Sequence, residues 1–382
     1  MNEWKKVKLG NLLEEYCERN DNQKYKAVAV GKYGIRKRED IYSKDLSKDI
    51  SKNKIIKKDT LTIGMGSTQI DIGILTEDDI FCVSPAYTTY KIKKCNSKFL
   101  EYYLEYLNPK LSDLFMIVSA RQGKNVDKDG MLRHEVMIPP IEEQEKIVKI
   151  LKNIDSIINK YEKLLEEKNQ FIKSQFVEMF GKENWKKVEL KSVAEVKGRV
   201  GWKGYTKSDL RSEGPLVLGA THLRDDGLLD LTEPVFLSEE KYEESPEIMV
   251  KTNDLIFAQR GSLGKIGLVN DNIGKATINP CVLILRPFNI NPEFFRMLLI
   301  MEYDNGNLER LNSGSTIPMI SQKTIGEYKI IMPSIELQNQ FEKIVNKTDK
   351  QKLLLDKQKQ NYEKLKKGLM QQLLTGKIRV KK

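Results

Sequence analysis

The chain has 382 residues, of which 40% are hydrophobic and 31% charged, and 65 Lys and Arg outweigh 54 Asp and Glu to give a formal net charge of +11. This length is enough for two or three domains with real cores. The charge balance favours a polyanionic partner, most simply nucleic acid, over an acidic one. The sequence lacks both an apolar run that could cross a membrane and the apolar core of a signal peptide, so we expect a cytoplasmic protein.

Cysteine and histidine usage argues against a metal centre. The four cysteines are far apart without a CxxC pair, and there are two histidines, which predicts free thiols and no metal site: Cys17, Cys82, Cys95, Cys281, His134 and His222. The glycine-rich stretches GMGSTQ and GSLGK fit neither a dinucleotide-binding loop nor a P-loop. We therefore expect no catalytic residues, no metal and no cofactor in this chain.

Residues 1–137 read as a first globular domain of mixed α/β structure. It opens with WKKVKL, and β-rich runs such as YTTYKI are bounded by Gly, Asn, Asp and Pro. Side chains that read base edges or hold phosphates are most often Arg, Lys, Asn and Gln on loops. Candidate DNA contacts in GKYGIRKRED and on the glycine-rich loops are Lys32, Tyr33, Arg36, Lys37, Arg38, Gln69, Arg121, Gln122 and Lys124.

Residues 138–180 predict a long helix with one apolar seam. Apolar side chains recur with the heptad spacing of a helix that packs along another helix, and Glu and Lys fill the opposite side. The predicted seam consists of Ile147, Leu151, Ile154, Ile158, Tyr161, Leu165 and Ile172.

Residues 181–332 predict a second globular domain on the same framework. WKKVEL repeats the opening WKKVKL, and TNDLIFAQRGS matches KKDTLTIGMGS with Asp254 answering to Asp59. The early part of this domain has no visible counterpart in the first, which is expected of two readers of different targets on one scaffold. Candidate DNA contacts are Arg199, Trp202, Lys203, Tyr205, Thr221, His222, Arg224, Gln259, Arg260, Ser262, Lys265, Ser313, Ser315 and Thr316. Trp202 is equally well explained as a core residue.

Residues 333–382 repeat the long helix and add a C-terminal tail. IMPSIELQ matches IPPIEEQ, and the seam continues through Phe341, Val345, Leu355, Tyr362, Leu369 and Leu373. Two copies at a fixed interval predict that the helices pair as an antiparallel coiled coil. Gln144, Asp155, Gln338 and Asp349 recur in both copies, either as partner-docking residues or as polar groups that set the helix start and the seam.

The fold class that follows is α+β, with two globular domains in pseudo-two-fold tandem repeat joined by two long antiparallel coiled-coil helices. GSTIPMIS leading into IMPSIELQ, and the ending LKKGLMQQLLTGKIRV, make this plan resemble the DNA-specificity (S) subunit of type I restriction–modification systems. The first half departs from the pattern, because GKNVDKDG stands where the second has GSTIPMIS.

The resemblance implies a non-catalytic subunit of a DNA methyltransferase and endonuclease complex. Each globular domain would be a target-recognition domain that reads one half of a bipartite site in double-stranded DNA. The helices would set the spacer and dock two methyltransferase (M) subunits, which hold S-adenosylmethionine and modify adenine. Motor–nuclease (R) subunits would join through that complex.

Two other classes remain open from the residues alone. A DNA-binding regulator could use such helices for dimerisation, although regulators generally repeat by homodimerising rather than by duplication within one chain. A non-catalytic scaffold could carry its positive charge incidentally.

Overall fold

A computed structural model of the chain describes residues 3–31, 34–38, 41, 49–119, 123–182, 184–199, 205–270, 273–312 and 318–380. The fold is mixed helix and sheet, and a long helix lies near the C-terminus. Two compact units divide the chain: unit 1 comprises Met1–Tyr161 with Gln358–Lys382, and unit 2 comprises Glu162–Lys357. Among the described helices, none combines the length and the apolar character needed to span a membrane.

Unit 1 is built around a four-stranded antiparallel sheet with the order β2-β9-β6-β7, accompanied by four two-stranded ribbons, β1-β12, β3-β4, β5-β8 and β10-β11. Its strands are β1 Lys5–Lys8, β2 Leu13–Glu15, β3 Val28–Gly31, β4 Gly34–Lys37, β5 Lys54–Ile56, β6 Thr60–Gly64, β7 Asp71–Leu75, β8 Phe81–Val83, β9 Thr88–Ile92, β10 Met116–Ser119, β11 Gly123–Val126 and β12 Glu135–Ile138. Helices α1 Ser97–Phe115 and α2 Lys128–Arg133 follow, and α3 Ile141–Phe180 begins here.

The core of unit 1 joins the sheet to both long helices. Leu61 of β6 and Phe99 of α1 share one buried cluster with Ile147 of α3 and with Leu373 near the C-terminus. Because a sheet and an amphipathic helix each bury one apolar face, this single core holds the sheet, α1 and the helix segments together.

Unit 2 repeats the four-stranded sheet, with the order β14-β20-β17-β18, and adds a three-stranded sheet β16-β15-β19 and the ribbon β13-β21. Its strands are β13 Lys187–Glu189, β14 Ala194–Lys197, β15 Leu210–Leu218, β16 Phe236–Leu237, β17 Leu255–Ala258, β18 Ile266–Leu268, β19 Ala276–Ile278, β20 Val282–Pro287 and β21 Lys329–Ile331. Its helices are α4 Glu239–Glu243, α5 Pro292–Asp304, α6 Gln322–Gly326 and the first part of α7 Ile335–Leu373.

The backbone corrects the match between the two copies by one residue. Asp59 has a φ of 64° and lies just before β6. Asn253 has a φ of 68° and lies just before β17, the strand of unit 2 that corresponds to β6. Thr62 lies opposite Gly73, just as Ile256 lies opposite Gly267. The identical letters had paired Asp59 with Asp254, whereas Asp59 and Asn253 share the left-handed conformation, which Asp and Asn tolerate better than most residues.

A buried glutamine ties the start of α3 to the start of α1. The Gln144 amide nitrogen donates to the carbonyl oxygen of Pro139 at 2.8 Å, and its amide oxygen accepts from the backbone N–H of Asn96 at 2.8 Å. Asn96 is the N-cap of α1, accepting from the N–H of Phe99. Gln144 is 2% exposed, so its side chain closes backbone hydrogen bonds that would otherwise be unpaired in the core.

Unit 2 contains the same clamp. Gln338 donates to the carbonyl oxygen of Pro333 at 2.9 Å and accepts from the N–H of Asn291 at 2.9 Å. Asn291 caps α5 and Gln338 is fully buried. Of the two readings of these glutamines, the structure supports the one in which they set the helix start.

Within unit 1, α3 and α7 contact each other with opposed chain directions. The Asp155 carboxylate pairs with the Lys366 ammonium at 2.9 Å, and the rings of Tyr161 and Tyr362 lie 5.7 Å apart. The C-terminal tail continues this run, because Arg379 forms two hydrogen bonds of 2.8 Å with Glu143 near the start of α3.

Within unit 2, the same two helices also run in opposite chain directions. Phe176 and Phe180 pack edge-to-face on Phe341 with centroids 5.5 and 5.6 Å apart, and Lys168 donates to Gln351 at 2.8 Å. Of the predicted seam residues, the buried ones are Ile147, Leu151, Ile154, Ile158, Ile172, Phe341, Val345 and Leu373, and the partly buried ones are Tyr161, Leu165, Leu355, Tyr362 and Leu369.

We expect Gln144→Ala to weaken the attachment of α1. The substitution leaves one buried N–H and one buried carbonyl without a partner, which costs about 1–3 kcal/mol. Hydrogen exchange over residues 96–104 measures the free energy of local opening. Gln170→Ala, on the exposed side of α3, is the matched control and should change that value by less than about 0.5 kcal/mol. Equal protection in the two variants would contradict the assignment.

Candidate nucleic-acid interface

The turn between β17 and β18 carries several of the predicted contacts of unit 2. The Gln259 amide donates to the carbonyl oxygen of Pro280 at 2.8 Å, while Arg260 pairs with Met319 in an isolated bridge and its Nε lies 3.1 Å from that sulfur. Ser262 is exposed. Gly261 has a φ of 78°, and the position that a Cβ would occupy is open, so the turn allows close approach of another molecule to its backbone.

The neighbouring loop, residues 219–228, presents two exposed candidates and hides a third. Thr221 and Arg224 are exposed, but His222 is buried and its Nδ1 accepts from the backbone N–H of Gly219 at 3.0 Å. His222 therefore holds the shape of the turn. Lys265 bonds Asp225 at 2.6 Å, which joins this loop to the β17–β18 turn.

Arg199 and Tyr205 lie together near the end of β19, a strand of the three-stranded sheet. Arg199 Nε donates to the carbonyl oxygen of Ile278 at 3.0 Å, and its guanidinium lies over the Tyr205 ring at 5.5 Å. Burial lowers the pKa of the Arg199 guanidinium from its ordinary value. Ile278 ends β19, and the next residues lead into β20 beside Gln259. Arg199, Gln259 and Arg260 therefore lie near the ends of β14, β17, β19 and β20.

In unit 1, the described candidates form two groups. Lys124 donates to the carbonyl oxygen of Ser67 at 2.7 Å and so lies against the β6–β7 turn, which also contains the half-buried Gln69. The second group is at the end of β4, where Arg36 and Lys37 are exposed, and Arg38, which follows the strand, is partly buried.

Nine predicted contacts fall outside the described residues: Lys32, Tyr33, Arg121, Gln122, Trp202, Lys203, Ser313, Ser315 and Thr316.

Sequence reasoning missed the acidic residue that orients Arg224. The Asp226 carboxylate accepts from Arg224 Nε at 3.1 Å and from Nη2 at 3.0 Å, which is a bidentate pair. Burial raises the pKa of Asp226, but Lys352 and Arg224 more than offset this, and the pKa lies below its ordinary value. The stretch RDDG in the sequence held the signal, since an arginine two residues before an aspartate can form such a local pair.

Comparison with known proteins gives the family. A sequence profile for the type I restriction modification DNA specificity domain matches residues 1–169 and 182–364. The chain belongs to the specificity-subunit family of type I restriction–modification systems.

Relatives cover most of this S subunit. It is 28% identical over 320 residues to the type I restriction enzyme MjaVIII specificity subunit of Methanocaldococcus jannaschii, covering 77% of the chain and 74% of the relative. It is 25% identical over 309 residues to the putative MjaX specificity subunit of the same organism, covering 75% of the chain and 70% of the relative.

Solved structures show the same fold at lower identity. The S subunit of a type I system from M. genitalium aligns with a TM-score of 0.53 at 17% identity, over 97% of this chain and 96% of that one. A chain from a structure of type I complex assembly and conformational transition aligns with a TM-score of 0.51 at 15% identity, over 98% of each chain.

Gly227 fixes the loop that carries Arg224, and we expect Gly227→Ala to destabilise unit 2. The residue has a φ of 73°, and an added Cβ would lie 2.7 Å from Ile300 Cδ1 and 3.0 Å from Arg296 Cγ. Gly274→Ala is the matched control, because Gly274 has a φ of 67° but an added Cβ would meet no atom within 4 Å apart from its chain neighbours.

Both alanine substitutions place a Cβ on a left-handed backbone, which lowers the free energy of unfolding by about 1–2 kcal/mol. At Gly227 the contacts of the added Cβ lower it by about 1–3 kcal/mol more. Urea unfolding of the two variants, followed by hydrogen exchange in β17 and β18, measures the difference. Equal destabilisation of the two would contradict the close packing of the loop.

Proposed function

We propose that this S subunit is a non-catalytic DNA reader whose two units each recognise one half of a bipartite site. The observation that carries the proposal is the repetition of the framework without repetition of the candidate surface. Both units have the same four-stranded sheet order and the same glutamine clamp. The side chains around their sheet ends differ, as two different half-sites require.

The sheet end of unit 2 has the chemistry of a base-reading surface. Arg224 and Arg260 are exposed arginines, and Gln259 adds an amide next to Arg260. Arginine fits the acceptor pair of guanine, and glutamine fits the acceptor–donor pair of adenine. Lys265 and Ser262 are suited to phosphate. We assign base reading to Arg224, Arg260 and Gln259. We assign contacts with the DNA phosphates to Lys265 and Ser262.

The two long helices set the unread spacer in this proposal. α3 begins in unit 1 and ends in unit 2, and α7 begins in unit 2 and ends in unit 1. A rigid protein connection converts its length into half-site spacing, as it does in dimeric repressors. A continuous antiparallel coiled coil with the seam described above would provide that rigidity.

The partners follow from the family. Two methyltransferase subunits would dock on the helices, each holding S-adenosylmethionine and modifying an adenine in one half-site, and motor–nuclease subunits would join through them. The M. jannaschii relatives are named as specificity subunits of type I restriction enzymes, which supports this assembly. The family match and the duplication within one chain favour it over a homodimeric regulator or an unrelated scaffold.

Methylation by the reconstituted complex tests the function directly. The chain is combined with the methyltransferase subunit of its own system, and modified adenines are mapped on genomic DNA. We expect a split motif, with modification requiring both proteins. A single uninterrupted motif, or modification by the methyltransferase alone, would overturn the proposal.

Lengthening both helices by one heptad should lengthen the spacer without altering either half-site. Seven residues inserted after Tyr161 and seven after Lys357 preserve the phase of the seam and add about 10 Å, or about three base pairs. Insertion into α3 alone is the control, and it should disrupt assembly because the seams no longer match. A mapped motif with its original spacer would contradict the role of the helices.

Arg260→Ala should relax one half of the motif only. Losing a bidentate base contact costs about 1–3 kcal/mol of discrimination at one base pair. The matched control is Arg211→Ala. Arg211 is exposed near the start of β15, whereas the loop of residues 219–228 follows the end of that strand, and Arg211 bonds the carbonyl oxygens of Ser208 and Leu210. If Arg260→Ala weakens binding to all sequences alike and reduces only the salt dependence, the arginine holds phosphate instead.

A further inference from the structure

A buried chain of ion pairs connects the Arg224 loop to α7 inside unit 2. Asp226 Oδ2 lies 3.1 Å from Lys352 Nζ, which in turn lies 3.2 Å from Asp349 Oδ1. Asp349 Oδ2 accepts from Arg296 Nη2 at 2.9 Å. Lys352 and the Asp226 carboxylate are each 8% exposed, so the pairs between them are shielded from solvent.

Arg296 anchors the other side of this chain to α5. It is 1% exposed, bonds Glu293 at 2.7 Å, and donates through Nη1 to the backbone carbonyl oxygen of Asp226 at 2.9 Å. The cluster thus balances the cations Arg224, Lys352 and Arg296 against the carboxylates Asp226, Asp349 and Glu293. Such balance is what makes buried charge tolerable.

Lys352 is a charged residue at a position where the first copy of the repeat has a buried apolar residue. Counted from the shared prolines Pro139 and Pro333, Lys352 occupies the position of Ile158, a buried seam residue of α3. A lysine is rarely buried unless it is paired. Its partner Asp226 belongs to the part of unit 2 that has no counterpart in unit 1, so the lysine and the divergent loop go together.

Unit 1 has a comparable lysine, and its ion pairs are with the framework helices α1 and α3. By the same count Lys366 occupies the position of the buried Ile172. It pairs with Asp155 on α3 at 2.9 Å and with Glu105 on α1 at 3.6 Å. These partners are framework helices, whereas Lys352 reaches a loop.

We propose that Lys352 is a positioning residue for DNA recognition, because it holds the loop of Arg224 through Asp226 and thereby makes α7 part of the reading surface of unit 2. The inference rests on the proposed function, in which Arg224 contacts a base.

Lys352 also allows Arg224 to leave its carboxylate. When Arg224 turns to DNA, Asp226 keeps Lys352 as a partner and is not left as an unpaired buried charge. Without Lys352, Arg224 becomes the remaining counter-ion of Asp226, and moving it to a base would strand that carboxylate. Loss of the lysine should therefore mimic loss of the arginine.

The test uses the complete complex with its methyltransferase and four variants: Lys352→Met, Lys352→Arg, Arg224→Ala and Lys366→Met. Each is assayed for methylation of the cognate site and of DNAs with one base changed in either half-site. We expect Lys352→Met and Arg224→Ala each to lose roughly tenfold discrimination in the same half-site, the usual size of one base contact. The other half-site should be unaffected.

Three further outcomes sharpen the result. The double variant Lys352→Met with Arg224→Ala should lose no more discrimination than Arg224→Ala alone, since the two act through one contact. Lys352→Arg should restore part of it, because it keeps a cation beside Asp226. Lys366→Met, the matched control on the same helix, should leave the discrimination of both half-sites unchanged even where it lowers thermal stability.

A purely structural role would give a different pattern. Lys352→Met would then lower the amount of active complex and reduce methylation of every DNA in proportion, with discrimination unchanged, and that result overturns the proposal. Independent losses that multiply in the double variant also overturn it. If instead the wild-type complex reads no split site at all, the proposed function itself has failed.

Discussion

One buried amide ties the start of each long helix to the start of a shorter helix. Gln144 and Gln338 each bridge the carbonyl oxygen of a proline before the long helix and the N-cap residue of a shorter helix. The amide satisfies a donor and an acceptor that water cannot reach, so the geometry of the junction is fixed by hydrogen-bond direction as well as by packing. Both units have the same arrangement of hydrogen bonds, so the junction between the long helix and the shorter helix is equivalent in the two units.

Patterns that depend on local periodicity could be predicted from the sequence. The heptad spacing predicted a long helix over 138–180, because 3.5-residue periodicity has few other physical causes. The structure has α3 at Ile141–Phe180, since Ile138 ends β12 and two prolines follow it. The repeat of WKKV and of the proline-containing segments indicated the duplicated framework. The match failed by one residue at Asp59, since identical letters do not report backbone conformation and the left-handed position is occupied by Asn253.

The candidate contacts show where sequence reasoning ends. Residue type and glycine-rich context nominated Gln259, Arg260 and Lys265, and the structure joins their turn to the Arg224 loop through the pair between Lys265 and Asp225. The same reasoning nominated His222, whose ring is buried as an acceptor for Gly219. Side-chain chemistry alone cannot separate a histidine that contacts a ligand from one that shapes a turn. Only the three-dimensional register of the strands decides which loops meet.

The acidic residues were the least predictable part of the interface. A search for nucleic-acid contacts favours cations, yet the orientation of Arg224 is set by Asp226, and Asp226 is in turn held by Lys352 on a helix far away in sequence. The recurring Asp349 belongs to the same cluster, while its counterpart Asp155 pairs with Lys366. One helix therefore carries two lysines at positions where the other copy has isoleucine. Asp349 and Asp155 occupy the same position in the two copies, but Lys352 also pairs with a loop residue, Asp226, whereas Lys366 pairs with helix residues. The divergent loop of unit 2 is therefore held by a changed lysine position, and the aspartate of the framework stays the same.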